Sequence, residues 1–154
     1  MPTQRGGATV HHYLGKTVGA LPNGRKAWEP LVDGTLSPMG GVDVKGPTAI
    51  IKSASKVNHT ELNRSDLFNM KLSPNSLQSR EGIQKFIALI KTYFARGGYH
   101  IQFNLMGQET LLEAKKHPEG YRSLLVRVAG YSAFFVDLSP DIQDEIIART
   151  EHTL

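Results

Sequence analysis

Between Arg80 and Arg96 apolar side chains fall at Ile83, Phe86, Ile87, Ile90 and Phe94, with Gln84, Lys85 and Lys91 between them. That spacing predicts an amphipathic helix whose apolar stripe faces a core, and Gly97-Gly98 stops it. The pattern then becomes alternating. Over Tyr99–Met106, Ile101, Phe103 and Leu105 share one face and His100, Gln102 and Asn104 the other, which reads as a buried strand. Leu67–Leu72, ended by Ser73-Pro74, reads as another. Three further helices are predicted: Thr48–Val57 behind Pro47, Gln108–His117 before Pro118, and one opened by Ser139-Pro140-Asp141. Ile142, Ile146 and Ile147 form the buried stripe of the last, and Asp141 suits the positive end of its dipole. Two apolar runs, Leu124–Val128 and Ala133–Val136, flank a lone glycine, Gly130.

Upstream of residue 47 no period survives. Gly6-Gly7, Gly15, Gly19, Pro22-Asn23-Gly24, Pro30, Asp33-Gly34, Pro38, Gly40-Gly41 and Gly46-Pro47 punctuate the chain, so residues 1–46 read as an extended, turn-rich strap. Long irregular segments are uncommon in compact domains, and this one predicts a body beyond the chain on which it lies. Residues 47–154 are expected to form the domain proper. With 154 residues, 40% hydrophobic and 21% charged, the chain is long enough to bury a core. Its net charge of +4 is spread over Arg25-Lys26, Lys52, Lys56, Arg80, Lys85 and Lys115-Lys116. No basic stripe forms, so a solvated surface is expected and nucleic acid is not. Met1–Ala8 lacks the apolar core of a signal peptide, and no window is apolar enough for a membrane span. A cytoplasmic location is expected.

The candidate chemistry is sparse. The sequence holds no cysteine, which excludes a disulfide framework, a thiolate zinc site and a thiol nucleophile within the chain. His11-His12 invites a metal reading, yet adjacent side chains on an extended segment point to opposite faces and no carboxylate lies close by in sequence. Surface histidines are expected there, and no metal. Gly40–Thr48 contains Lys45 but lacks the spacing of a phosphate loop. Gly130 remains. Inside an apolar strand pattern a glycine marks a hinge, a bulge or a close approach. It also offers an α-carbon without a side chain, which on losing one hydrogen gives a planar radical delocalised between amide and carbonyl.

The run Arg127-Val-Ala-Gly-Tyr-Ser-Ala-Phe-Phe135 resembles the glycyl-radical signature of glycyl radical enzymes. Similar wording extends through Gly19–Ala27, Glu29–Leu31, Asp33–Met39, Gly46–Lys56, Phe68–Pro74 and the tail Ile147–His152. The resemblance implies an α+β (α/β) fold, the C-terminal part of a β/α barrel of about ten strands, incomplete without a partner chain. It implies that Gly130 stores the unpaired electron and passes it to a cysteine on another loop. It also implies a radical S-adenosylmethionine activating enzyme that installs the radical, recognising Arg127, Val128 and Tyr131. Phe134, Phe135 and Tyr131 would wall the radical from oxygen and water, or serve as ordinary core. Arg127, a charge within an apolar strand, needs a partner or a water-facing side.

Because the chain is short and carries no cysteine, the thiyl residue and substrate pocket are expected on another polypeptide, a large Cys-containing barrel subunit. The chain then reads as the small subunit of a split enzyme, a spare part for an oxygen-cleaved one, or a piece of a longer chain. The wording is closer to the diol dehydratase, choline lyase and isethionate lyase group than to pyruvate formate-lyase. Arylacetate decarboxylases and succinate-adding enzymes stay open. A basic α+β binding module, with Gly130 a plain turn, is the reading from another class.

Overall fold

In the computed structural model, which describes residues 10–61 and 66–154, the chain is built on β1 (Asn69–Leu72), buried at all four positions. A strand is buried on both faces when it lies inside a parallel sheet with layers above and below. β2 (Gln102–Leu105) pairs with one edge of β1 and β5 (Glu151–His152) with the other, both parallel to it. Phe68, Met70 and Leu72 point to one face. They bury with Ile50, Ile51 and Ala54 of α2 (Pro47–Ala54) and with Leu89 and Tyr93 of α3 (Arg80–Ala95), the helix that links β1 to β2. Asn69 and Lys71 point to the opposite face, where Lys71 Nζ donates to the carbonyls of Ile147 and Arg149, each at 3.4 Å.

A second core lies beyond the sheet. Leu111 and Ala114 of α4 (Gln108–Lys116) meet Val126 of β3 (Leu125–Arg127), Val128, Phe135 and the Ile142, Ile146 and Ile147 stripe of α5 (Pro140–Ala148). β3 and β4 (Ser132–Phe134) form an antiparallel hairpin with Arg127 opposite Ser132 and Leu125 opposite Phe134. The sequence-predicted helices are thus present; Leu124–Val128 is strand over its middle three residues, whereas Ala133–Val136 is strand only to Phe134 and then passes into a 3-10 turn, Phe135–Asp137. Expectations placed on Met1–Ala8, including the Gly6-Gly7 turn, lie outside the described residues.

Five expectations are corrected. The stripe of α3 that enters the core is Gly82, Phe86, Leu89 and Tyr93, while Ile83, Ile87 and Phe94 are 45–47% exposed. The buried set is the other displaced by one residue, about 100° round the helix; a wide apolar stripe shows which side is sticky, not which part is covered. Leu105 is 43% exposed and Asn104 is buried, because β2 is an edge strand whose polar face is occupied. Basic residues are not all solvated either: Lys71 is buried, and so is Arg25, which donates to the carbonyls of Gly15 and Gly19, both at 2.9 Å, and of Glu29 and Pro30. A planar fork with five donors suits a loop crowded with unpaired carbonyls.

The strap is the fourth. It is not extended throughout: it contains a short helix, α1 (Val10–Gly15), which meets α5 of this chain. His11 is buried with Nε2 3.7 Å from Glu145 of α5, and His12 and Lys16 both reach Asp141, at 3.2 and 3.1 Å. The histidines are the fifth: His11 is buried and His12 half-buried, and the carboxylates near them come from a helix far along the sequence. Further on, the Leu36 amide donates to the Leu67 carbonyl at 2.9 Å, and the Asn69 amide to Ser37 Oγ at 2.9 Å.

Candidate active site

The hairpin turns on four residues, Val128 to Tyr131, and the Val128 amide donates to the Tyr131 carbonyl at 2.9 Å. Gly130 has φ 80°, while Ala129 is not among the positive-φ residues. That is the sign pattern of a type II turn, whose third position favours glycine. The direction that a side chain would take from Gly130 is also occupied: a methyl there would lie 3.2 Å from Leu67 Cδ2 and 3.5 Å from Cδ1. Backbone and neighbour each favour glycine. The residue itself is exposed, at the tip of the hairpin.

The strand entering the tip is pinned by side chains from outside the hairpin. Asn104 of β2 clasps Arg127 like a missing strand, accepting from its amide at 2.8 Å and donating to its carbonyl at 2.7 Å. Arg149 at the end of α5 donates to the carbonyls of Arg127 and Val128, at 3.2 and 2.8 Å. The Arg127 side chain runs back across the sheet, giving Nε to Gln102 Oε1 at 2.6 Å and Nη1 to Ser132 Oγ at 3.2 Å. Gln102 donates to Asn69, and Asn69 to Asp33 of the strap at 2.8 Å. Arg149 closes the circuit with ion pairs to Asp33 at 3.1 Å and Glu145 at 2.9 Å. A polar network thus joins strap, sheet, hairpin and C-terminal helix, and buried networks of this kind rigidify when every member is satisfied.

Electrostatics follow from burial. Desolvation pushes the Asp33 carboxyl up, against the pull of Arg149. Burial acts to raise Glu145 too, but the His11 imidazole 3.7 Å away and the charge and hydrogen bonds of Arg149 outweigh it and hold the carboxyl below its usual range. His100, beside the Asp66–Phe68 segment, is lowered by burial and by the Arg127 charge. The described residues bring together no group of three His, Asp or Glu side chains able to hold a metal.

The sequence matches the family described as "Glycine radical" over residues 32–136. The chain belongs to the glycine radical family. The probable dehydratase YbiW of Escherichia coli (strain K12) is 53% identical over 136 residues, which are 88% of this chain and 17% of that protein. Isethionate sulfite-lyase of Oleidesulfovibrio alaskensis is 48% identical over 146 residues, 94% of this chain and 18% of that one. Among solved structures, the glycerol-bound B12-independent glycerol dehydratase from Clostridium butyricum superposes with a TM-score of 0.90 at 47% identity, over 94% of this chain and 18% of that chain. The fold is the mixed α/β fold of these enzymes, and the chain spans less than a fifth of their length.

Within this member of the glycine radical family, Arg127, Val128, Gly130 and Tyr131 lie in or beside the hairpin turn, with Val128 buried and Tyr131 half-buried against the second core. Phe135 is wholly buried in that core, away from a wall role, and Phe134 is 46% exposed on the outer face. The sequence reading missed Leu67, Asn104, Gln102, Asn69, Asp33, Glu145 and Arg149. The polar face of β2 was the one available signal, since polar residues alternating on a buried strand need partners.

Proposed function

We propose that Gly130 is the residue of a glycyl radical enzyme that holds the stored unpaired electron, and that the radical passes from it to a cysteine on the larger part of the enzyme. The observation that carries the reading is a glycine held at φ 80° on an exposed tip whose entering strand is fixed by Asn104 and Arg149. Such a tip presents a bare α-carbon at a defined position while offering no side chain to react. The chain's own residues supply no thiol, so the thiyl group belongs to the barrel in which this piece sits. The relatives are named as dehydratase and sulfite-lyase, which supports cleavage of a carbon–heteroatom bond in a small polar substrate. The piece functions as a radical-bearing subunit or segment of such an enzyme, or as a replacement for one that oxygen has cleaved.

A radical S-adenosylmethionine activating enzyme would install the radical, reading Arg127, Val128 and Tyr131. Arg127 suits that role because, among the described residues, its side chain is held by two neutral groups, Gln102 and Ser132. Anaerobic treatment with such an activase should produce a doublet electron paramagnetic resonance signal that grows with time. Arg127→Ala should slow that growth more than it slows turnover by protein already activated. Oxygen should then cut the chain at Gly130. Absence of the doublet, or an intact mass after oxygen, would sink the radical assignment; equal losses in activation and turnover would make Arg127 structural.

A further inference from the structure

The contact on the α-carbon of Gly130 comes from a residue far away in sequence, and that residue is firmly placed. Leu67 lies in the segment entering β1. Asp66 before it is buried against His59, Oδ2 to Nδ1 at 3.0 Å, and His59 Nε2 lies 3.2 Å from the Ala54 carbonyl of α2. The Leu67 carbonyl accepts from the Leu36 amide at 2.9 Å, and the Phe68 carbonyl accepts from the Gln102 amide at 2.9 Å. With its backbone held on both sides, Leu67 turns its two methyl groups toward the Gly130 α-carbon along the direction an L side chain would take. Gly130 is otherwise exposed. One face of this α-carbon is covered and the other is open.

A glycyl radical is planar, so its chemistry is decided by which face a hydrogen donor can reach. The hydrogen in the L-side-chain position of glycine is pro-S, and the opposite one is pro-R. We propose that Leu67 is a positioning residue that closes the pro-S face of Gly130, so that hydrogen returns to the radical from the open face and occupies the pro-R position. The inference rests on Gly130 carrying the radical. In the step concerned, a thiol gives up its hydrogen atom: the S–H bond breaks homolytically, a C–H bond forms at Gly130, and the unpaired electron stays on sulfur. The hydrogen already on the α-carbon swings toward Leu67. A steric penalty of about 1.4 kcal/mol on the covered face corresponds to about tenfold in rate, and methyl groups at van der Waals distance leave no room for a sulfur atom between.

The test is a quench of the assembled, activated enzyme in deuterated water with a small deuterated thiol, after the radical has been counted by electron paramagnetic resonance. The peptide carrying Gly130 is isolated, its glycine released by proteolysis, and the configuration of the single deuterium read by magnetic resonance of a chiral derivative. Deuterium in the pro-R position, in about tenfold or greater excess, is the expected result. Leu67→Ala should spread the label over both positions, and Leu67→Met, which restores the bulk, should return it to one. A doublet followed by evenly divided label in the unaltered protein overturns the inference and leaves the radical assignment standing. Single-sided label that persists in Leu67→Ala overturns it as well. No doublet at all ends both.

Discussion

At the scale of one residue, Gly130 is constrained twice, by its own φ and by Leu67, and the two constraints differ in strength. A side chain at φ 80° brings its Cβ against the following carbonyl, which costs about 1–2 kcal/mol. The contact with Leu67, at 3.2 Å, involves the end of a flexible side chain that can give by a few tenths of an ångström. Backbone strain therefore dominates. Gly130→Ala should fold, lose about 1–2 kcal/mol in chemical denaturation, and give no doublet signal or turnover. An alanine variant that still supports turnover would refute the radical assignment. Gly130 was legible in the sequence because a glycine between apolar runs is conspicuous and its neighbours spell a known signature. Leu67 was not. It reads as one more apolar residue at the head of a strand, and only the packing of that strand against the hairpin gives it a second role. Phe135, five residues beyond the glycine, takes the second of its two sequence readings, that of ordinary core.

At the scale of elements, helix periodicity placed all the long helices, yet on α3 it could not say which part of a broad apolar stripe was covered. The links between elements were harder still, because they are polar and distant in sequence. Helix α5 shows this best. Its Ile142, Ile146 and Ile147 stripe was legible from spacing, but Glu145 and Arg149, one turn apart on another side, gather His11, Asp33 and the Arg127 carbonyl. The two carboxylates on Arg149 respond to pH in opposite senses. Glu145, held below its ordinary value of 4.5, contributes stability that is present above that value and is lost as pH falls through the folded-state pKa. Asp33, raised by burial above 3.8, holds its proton more tightly in the folded state, so its contribution falls as pH rises from 3.8 through the folded-state pKa. Glu145→Gln should therefore lower stability at neutral pH, by about 1–3 kcal/mol for a lost charged hydrogen-bond partner, and weaken the loss of stability on acidification below 4.5. Denaturant titrations at pH 7 and pH 3 would check both; an unchanged acid slope would remove Glu145 from the network.

At the scale of the whole molecule, the described residues form two cores and one three-stranded sheet, yet they leave apolar surface uncovered. Ile83, Ile87 and Phe94 line the outer side of α3, Leu125 and Phe134 pair across the outer face of the hairpin, and Tyr99 is 76% exposed. β2 and β5 are the edges of the sheet. Contiguous apolar faces and open strand edges are what soluble proteins otherwise avoid. The relatives, of which this chain spans 17–18%, are long enough to cover them. The strap is tied to the chain through His11, Arg25 and Asp33, yet Tyr13, Trp28, Val42 and Val44 on it are 56–76% exposed, so it too leaves apolar surface uncovered. We accordingly expect the uncovered faces to be where the remainder of a Cys-bearing barrel packs, across an interface above about 2,000 Å² as obligate contacts require. Hydrogen exchange of the chain alone and with such a barrel should show the largest gain of protection in α3, β2 and β3–β4, a further gain in the strap around Trp28 and Val44, and little change in the already buried β1. A chain equally protected alone and in the mixture, monomeric in size-exclusion chromatography with and without the barrel, would show that these faces are not an interface. Protection gained chiefly over residues 10–46 would place the contact on the strap instead.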